Sequence, residues 1–512
     1  MKLKLSYIWM GFLVLWVGIF VFIGWHNLDP DFGWHVQMGN YIARYGIPKT
    51  DPFSYTMPSY AFIDHEWLTN RLMAEILNNW GYMAEAVIFG LLAGGLFWLL
   101  VPKGKQIWAI VPLLFAAGVW VCRGGVRPQI LDWIFLAGLL RLVWNEEIWK
   151  KWRWGVVPMF GLWANLHGGF AIGPVVLLAI LVFKNLEIKK VKKTNPKLLI
   201  GSLVFAVKKV DWTDVWVWIA GVVATWVNPY GLRIWYEVWM QITDSNLKWN
   251  IAEWQPFWVR AELGIWLLVG LTASLARMNK QKIDNWKVGV AVCLLVAGMS
   301  SLRHMALLAV MLVFLATELV EKMAYTIKKD KIAWERAKKF YLLIVVIATV
   351  VFLEEVGIFV SKSGKGQGGI VYPTKAVEFL RKQNYPGQMF SEYGWGGYLI
   401  WKYPEKRVYM DGRMPSWRWT APKEESNWAF KDYIKIKERG EFAQEFAKYD
   451  IRVVLWTKHS LIGETPQQNQ GWWAKFMRTG LGKESVDLKQ KLEEAEWNRV
   501  YEDEVAVVYV RR

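Results

Sequence analysis

Long apolar runs separated by short polar stretches dominate the first 360 residues of the chain. The first run, Ser6 to Trp25, carries no charge over a length that crosses the hydrocarbon core of a bilayer. Further runs lie at 83–101, 107–121, 129–144, 155–166, 169–184, 214–227, 262–276, 287–300, 303–320 and 340–360. This pattern predicts an α-helical polytopic membrane bundle of about eleven transmembrane helices. The first is expected to stay as a helix rather than be cleaved as a signal peptide.

The distribution of basic residues assigns an orientation to this bundle. With the N-terminus in the cytoplasm, most Lys and Arg of the membrane half fall in cytoplasmic loops, including a cluster from Lys184 to Lys197. The net charge of +18 therefore indicates contact with membrane lipids and not with nucleic acid. We expect a multi-pass protein of the cytoplasmic (inner) membrane with its C-terminal region outside the cytoplasm.

The first outer loop, residues 26–82, shows helical periodicity twice. Between Asp31 and Tyr45, the apolar positions Trp34, Met38 and Ile42 lie on one helix face. The second stretch repeats this spacing with Leu68, Leu72, Ile76 and Trp80. The loop is therefore predicted to form two amphipathic helices along the membrane surface.

After about residue 361 the pattern changes to that of a small water-soluble domain. Helices are predicted at 374–383 and 431–448, a strand-rich stretch at 388–401, and strands at 407–410, 452–457 and 505–510. The chain is thus predicted to divide into a membrane domain, residues 1–360, and an extracytoplasmic α/β domain, residues 361–512.

Polar side chains suited to chemistry concentrate in the predicted outer loops. The first loop opens with Asp29 and Asp31, and His35 follows one helical turn after Asp31. The same loop later carries Asp64, His65 and Glu66. The remaining outer loops contribute Arg127, His167, Asn228, Arg233, Glu253, Arg303 and His304. We expect these residues to form one polar surface at the outer boundary of the membrane.

The chemistry of that surface suits sugar transfer from a lipid-linked donor. Carboxylates can accept a proton from an acceptor hydroxyl. Arg127, Arg233 and Arg303 would neutralise a phosphate leaving group at the headgroup level. The nearby Asp132, at the start of an apolar run, is expected simply to pair with Arg127.

Several sequence blocks resemble a known superfamily. They are LDPDFGWHVQMGNYIARYGIPKTDPFSYT, DHEWL, RPQ, WANLHGGF, NPYGLRIW, AEWQPF and YGWGGYLIW with VYMDGR, and they run from Leu28 to Arg413. In these blocks the chain resembles the C-type membrane glycosyltransferases, particularly bacterial members. It also shows distant similarity to the catalytic subunits of oligosaccharyltransferases.

The resemblance implies an inverting hexosyl or pentosyl transferase that uses a polyprenyl-phosphate-linked sugar donor and a glycan, lipid or protein acceptor. An acidic residue soon after the first helix would serve as catalytic base, which is Asp29 or Asp31 here. Asp31 is favoured because it opens the amphipathic helix. The resemblance also allows a divalent metal, Mg²⁺ or Mn²⁺, with oxygen ligands from Asp29, Asp31 and Glu66.

The segment YGWGGYLIW resembles the WWDYG region of oligosaccharyltransferases, which makes Tyr393 and Trp395 candidates for substrate binding. The acidic residue of that motif is absent, so recognition of a peptide sequon is not expected. The alternative for this segment is a glycine-rich strand turn. Asp411 and Arg413, which follow it, either face the active site or form a turn.

Two other function classes remain open on the sequence. A lipid or glycan transporter would need charged residues along a path through the membrane, and the apolar runs contain few. A non-catalytic cell-envelope assembly protein would bind a polymer with its C-terminal domain and would tolerate changes at Asp29 and Asp31.

Overall fold

The computed structural model describes residues 2–101, 104, 106–190, 203–207, 210–257, 262–279, 283–363, 371–458 and 487–511. Each of the eleven predicted apolar runs falls on a helix in this part of the chain. The helices up to residue 363 are α1 (Lys2–His26), α2 (Phe32–Tyr45), α3 (Trp67–Leu100), α4 (Gln106–Val121), α5 (Ile130–Val143), α6 (Glu146–Trp152), α7 (Val156–Leu166), α8 (Ile172–Asn185), α9 (Trp212–Ala224), α10 (Arg233–Thr243), α11 (Ser245–Asn250), α12 (Leu263–Met278), α13 (Asn285–Ser300), α14 (Met305–Ile327) and α15 (Lys331–Ser363).

Five helical segments among the described residues are long and apolar enough to cross a membrane. They are Trp9–His26, Trp67–Leu100, Gly168–Asn185, Leu302–Ile327 and Lys331–Gly357. Shorter apolar helices occupy Ile107–Val121, Trp212–Ala224, Leu263–Met278 and Asn285–Ser300. The chain is therefore a mostly helical, multi-pass membrane protein, and the total of eleven spans stays a prediction.

Helix α14 forms the centre of the bundle. All its side chains from Met305 to Leu319 are buried, as expected for a helix that is apolar on every face. A two-stranded antiparallel sheet, β1 (Leu186–Lys190) and β2 (Leu203–Val207), follows α8. Much of the predicted basic cluster from Lys184 to Lys197 lies outside the described residues.

The second amphipathic helix of the first outer loop continues directly into a membrane helix. Helix α3 begins at Trp67, at the predicted position, but runs on to Leu100. The two parts meet at a kink at Gly81, whose φ of 76° suits glycine. Because the kink changes direction without a loop, one helix includes both the outer amphipathic stretch and the apolar run.

The C-terminal region folds around a four-stranded mixed sheet of order β3–β4–β6–β5. Strands β3 and β4 are parallel, whereas β6 is antiparallel to both of its neighbours. The elements are α16 (Thr374–Gln383), β3 (Gln388–Ser391), α17 (Gly396–Lys402), α18 (Ala429–Arg439), α19 (Ala443–Lys448), β4 (Ile451–Thr457), α20 (Leu488–Glu494), β5 (Asn498–Glu502) and β6 (Ala506–Val510). The small α/β sheet and its two β-branched strands near 452 and 505 agree with the sequence patterns.

Three predicted elements of this region are wrong. The stretch 388–401 is a strand only to Ser391 and then forms a 3₁₀ turn, Tyr393–Trp395, and helix α17. The stretch 407–410 is no strand, because Val408 makes only one isolated bridge, to Ser54 of the first outer loop. The predicted helix 431–448 is broken into α18 and α19. Gly440 ends α18 in the left-handed conformation, with a φ of 67°, so the break in the predicted helix follows from a local feature. In the other two stretches, contacts with α2 and with the first outer loop prevail over the local pattern.

The first outer loop shares a core with the C-terminal region. Trp34, Met38, Met57 and Phe62 belong to the apolar cluster that also contains the C-terminal sheet. Helix α2 lies between α3 and α17, and most of its first eight residues are buried. The first part of α2 is therefore enclosed by protein, whereas the sequence predicts a helix along the membrane surface. The predicted boundary near residue 360 separates two stretches of chain that pack together.

Contact between α2 and α17 depends on two glycines. A Cβ added at Gly33 would overlap the carbonyl group of Gly397 and approach Trp401 Cβ to 2.9 Å.

We expect Gly33→Ala to destabilise the protein by about 3 kcal/mol, because neither backbone can move without displacing the core. Thermal unfolding in detergent and limited proteolysis of the C-terminal region measure the effect. Gly138→Ala is the matched control, since nothing lies within 4 Å of a Cβ there. Equal melting temperatures for the two variants would contradict the prediction.

Candidate active site

A cavity of about 150 Å³ lies where the ends of several helices of the bundle meet the C-terminal region. Its walls come from the start of α2, the segment before α3, the loop after α4, helices α10 and α11, and residues 412–417. The predicted site residues that line it are Asp29, Asp31, His35, Asp64, His65, Glu66, Arg127, His167, Glu253, Arg303, Tyr393 and Arg413. The fold therefore brings together side chains from loops that are far apart in the sequence.

The turn between α1 and α2 positions the acidic pair Asp29 and Asp31. The amide of Asp31 donates to Asp29 Oδ1 at 2.8 Å, which closes the Asx-type turn that starts the helix. The other oxygen of Asp29 accepts from Arg127 Nε. Arg127 also donates from Nη1 to Glu253 Oε1 at 2.8 Å. Asp29 and Glu253 thus hold Arg127, and Asp31 forms no ion pair with a basic side chain among the described residues.

Asp31 is closely packed against the backbone of the C-terminal region. The backbone at Gly412 approaches it so closely that a Cβ there would overlap the carboxyl group. Burial raises the pKa of Asp31 to about 8, and the nearby charges of Asp29 and Glu253 add to the rise while Arg127 opposes it. A carboxyl group that titrates near neutral pH is suited to exchange a proton with a substrate.

A second cluster surrounds Glu66, just before α3. Its carboxylate lies 3.1 Å from His167 Nε2, 3.3 Å from His35 Nδ1 and 3.6 Å from His65 Nε2. His167 also contacts Asp132 through Nδ1 at 2.8 Å. The cluster therefore links α2, α3, α5 and the loop after α7.

Charge in this cluster is balanced by mutual pairing. Burial alone would lower the pKa of His167, but the carboxylates of Asp132 and Glu66 outweigh it and raise the pKa to about 9. Burial would likewise raise the pKa of Glu66, yet the imidazoles of His167 and His35 hold it well below its ordinary value. Burial lowers the pKa of His35 despite the proximity of Glu66. The arrangement therefore places a glutamate and a histidinium together in the cavity wall near neutral pH.

The expected pairing of Asp132 with Arg127 is wrong. Asp132 accepts from Trp163 Nε1 at 2.8 Å and contacts His167, whereas Arg127 is held by Asp29 and Glu253. Asp132 and Arg127 are one to two helical turns apart in the sequence, which suggested a pair. No local pattern shows that Trp163 of α7 and His167 after it pack against Asp132 instead.

Asp64 and Asn70 extend the Glu66 cluster. Asn70 Oδ1 lies 2.6 Å from His35 Nδ1, and its amide nitrogen donates to both carboxylate oxygens of Asp64 at 2.9 Å. Burial raises the pKa of Asp64 to about 6, although the hydrogen bond from Asn70 opposes the rise. Asn70 is therefore the positioning residue that connects Asp64 with His35, and the sequence analysis missed it.

Arg413 ties the C-terminal region to the first outer loop. It lies 2.9 Å from Asp51 Oδ1 and 2.6 Å from Asp411 Oδ2. The guanidinium is enclosed by four aromatic rings, those of Trp34, Phe53, Phe62 and Trp417. Asp411 is buried and lies behind the cavity lining, so its observed contact is with Arg413.

Four other predicted site residues lie outside this cavity. Asn228 shapes its own turn, since its side chain accepts from the Tyr230 amide and donates to two carbonyl groups. Trp395 is buried and donates from Nε1 to the carbonyl of Val371. Arg233 is exposed on α10, and His304 lines a second cavity next to the first. The structure therefore gathers Arg127 and Arg303 at the cavity but not Arg233.

Two cavity residues on α10 escaped the sequence analysis. Glu237 and Gln241 line the cavity one helical turn apart and share a hydrogen bond of 3.1 Å. Their spacing within an otherwise apolar, aromatic stretch was a usable signal for a polar helix face.

The proposed metal ligands do not form a metal site in this arrangement. Asp29 is bound by Arg127 and the Asp31 amide, while Glu66 is surrounded by three imidazoles. Among the described residues, no group of three or more His, Cys, Asp and Glu side chains is arranged to hold a metal ion. The divalent metal that the resemblance allowed therefore stays a prediction.

In its fold, the helical bundle with its C-terminal α/β region is similar to a membrane oligosaccharyltransferase of known structure, in agreement with the sequence resemblance. The fold matches the oligosaccharyltransferase of Archaeoglobus fulgidus tethered with an acceptor peptide containing the NVT sequon. The TM-score is 0.52 at 12% identity, over 88% of this chain and 69% of that chain. The same enzyme in complex with Zn and sulfate gives 0.50 at 12% identity, over 87% and 67%.

ArnT from Cupriavidus metallidurans, bound to undecaprenyl phosphate, gives a TM-score of 0.49 at 12% identity, over 98% of this chain and 97% of that chain. No family model and no curated protein sequence matches this chain. At these identities the structural likeness establishes the fold alone.

Proposed function

We propose that this protein transfers a sugar from a polyprenyl-phosphate-linked donor to an acceptor on the outer face of the cytoplasmic membrane, with Asp31 as general base. The observation that carries the proposal is the placement of Asp31. It lies in a cavity between the helical bundle and the C-terminal region, and its pKa of about 8 is close to working pH. The oligosaccharyltransferase-like fold supports the same reaction class.

The reaction would use groups on opposite sides of the cavity. Asp31 takes the proton from an acceptor hydroxyl, whose oxygen attacks the anomeric carbon of the donor. The bond from that carbon to the phosphate oxygen breaks, and polyprenyl phosphate leaves with the bonding electrons. Attack from the face opposite the phosphate inverts the anomeric configuration. The proton remains on Asp31 until solvent or the leaving phosphate accepts it.

Arg303 is the better candidate to bind the leaving phosphate. Arg127 is already neutralised by Asp29 and Glu253. Arg303 lines both cavities, lies 5.3 Å from the ring centre of Trp254, and forms no ion pair with a described carboxylate. Its charge is therefore available where negative charge develops during transfer.

Product analysis in reconstituted vesicles tests the proposal. Purified protein would be incubated with hexose and pentose polyprenyl phosphates, and released polyprenyl phosphate and glycosylated products would be identified by mass spectrometry. Comparison of envelope glycans and glycolipids before and after gene deletion identifies the acceptor class. The proposal predicts consumption of one donor and loss of one glycan modification. Unchanged donors and an unchanged glycan profile would refute it, and movement of unmodified donor across sealed vesicles would indicate a transporter.

A further inference from the structure

Helix α10 has an apolar face that no described part of the chain covers. Tyr236 is 61% exposed, Trp239 is 64% exposed and Ile242 is 52% exposed. Three to four residues separate successive members of this stripe, so they lie along one side of the helix. Leu232, just before the helix, extends the stripe and is also exposed.

The opposite face of α10 forms a wall of the catalytic cavity. Glu237 is buried and lines the cavity together with Gln241. Ile234 is fully buried, and Trp235 donates from Nε1 to Thr225 Oγ1 at 2.8 Å. One side of α10 thus faces the site, while the other side presents aromatic and aliphatic groups outward.

The position of α10 in the chain puts its exposed face at the membrane boundary. Helix α9 is one of the shorter apolar helices and ends at Ala224, and α10 begins only nine residues later at Arg233. The turn between them is held by Asn228 and by the hydrogen bond from Trp235 to Thr225. Tyrosine and tryptophan favour the headgroup level, and an amphipathic helix lies there with its apolar face toward the acyl chains.

A second cavity, of about 70 Å³, joins the catalytic cavity to this face. The two cavities share five lining residues: His65, Gln129, Gln241, Trp254 and Arg303. The second cavity continues between Val238 and Ile242 of α10 on one side and Ile172 and Leu307 of the bundle on the other. Ile242 both lines this cavity and is half exposed, so the cavity approaches the outside at that residue.

We propose that α10 is embedded in the outer leaflet and forms the lipid-side gate of the active site. Acyl chains of the bilayer contact the stripe of Tyr236, Trp239 and Ile242. The isoprenoid chain of the lipid-linked substrate lies in the second cavity and leaves the protein past Ile242 into the bilayer. The placement of α10 stands on its own, whereas the isoprenoid path rests on the proposed function.

Photocrosslinking tests the placement without any need for activity. The full-length protein would carry benzoylphenylalanine at Trp239 and be reconstituted into phospholipid vesicles. Irradiation is expected to give a phospholipid adduct at this position, detected by mass spectrometry. Val500, exposed in the C-terminal sheet, is the matched control position and is expected to give none. Absence of an adduct at Trp239, or equal adducts at both positions, would overturn the placement.

Donor chain length tests the gate. We expect Ile242→Glu to lower kcat/KM at least about tenfold for a long-chain polyprenyl donor, because a charge would face acyl chains and isoprenoid. With a donor that carries a short, water-soluble isoprenoid, Ile242→Glu is expected to change kcat/KM less than twofold. Val500→Glu is expected to leave kcat/KM unchanged for both donors. Equal losses with the two donors, or no loss with either, would refute the gate. If no donor reacts even with the wild type, the proposed function fails while the crosslinking result still decides where α10 lies.

Discussion

Asp31→Asn is expected to reduce sugar transfer about a thousandfold while the protein stays folded. Asparagine preserves the shape of the side chain beside Gly412 but cannot accept the proton of the acceptor hydroxyl. Initial rates of donor consumption in vesicles measure the loss. The melting temperature should be unchanged or higher at pH 8, because the variant removes a carboxylate that lies near Asp29 and Glu253. Retention of more than a tenth of the wild-type rate would exclude Asp31 as base.

The pH profile provides a second readout of the same residue. Because the base must be deprotonated, the rate for the wild type should rise with pH and level off above about pH 8, the pKa of Asp31. Asp29→Asn should move the midpoint to lower pH, since the charge of Asp29 contributes to the raised pKa. The substitution would also release Arg127 from its pair with Asp29, and the freed positive charge would lower the pKa of Asp31 as well. An unchanged midpoint in Asp29→Asn would show that another group controls the profile.

Glu66→Gln is expected to destabilise the protein by about 3 kcal/mol near pH 6. The variant leaves the buried His167 with only Asp132 as a charged partner, and it removes the contacts to His35 and His65. Thermal unfolding in detergent measures the change. Glu75→Gln, on helix α3 that follows Glu66, is the matched control, because Glu75 is exposed and its pair with Arg71 is a surface pair worth little.

The stability difference between wild type and Glu66→Gln should depend on pH in a defined direction. The pKa of Glu66 is depressed in the folded protein, so its contribution is present above the unfolded value of 4.5 and is lost as pH falls through the folded value. The pKa of His167 is raised, so its contribution is full below 6.5 and is lost as pH rises through about 9. The difference should therefore be largest between about pH 5 and 6.5 and should shrink toward pH 9. A difference that stays constant to pH 10 would indicate a purely steric role for Glu66.

The sequence predicted the helical elements well where local periodicity was strong. Each apolar run coincides with a helix, and the predicted start of α2 at Asp31 is within one residue of the observed helix. Apolar positions recur with each helical turn, so a short stretch of sequence is enough to indicate a helix. The segment YGWGGYLIW was harder, because its glycines suit both a strand turn and a close helix contact. Its helical form depends on packing against α2.

The acidic, basic and imidazole residues of the candidate site were also visible in the sequence, because polar groups are rare beside apolar runs. Their partners were not visible. Arg127 meets Asp29 across 98 positions of sequence and Glu253 across 126, and no local pattern specifies such a pair. The interpretation of Asp132 failed for this reason.

By itself the sequence determined a multi-pass membrane protein with a C-terminal α/β region and an acidic pair at the start of an outer helix. These properties follow from hydropathy and helical period, which act over one or two turns. Only the tertiary structure decided that Asp29 binds Arg127, that Glu66 collects three histidines, and that α10 separates the cavity from its exposed apolar stripe. Those outcomes depend on which distant helices share a boundary, because buried charges take whatever opposite charge the packed fold brings within reach.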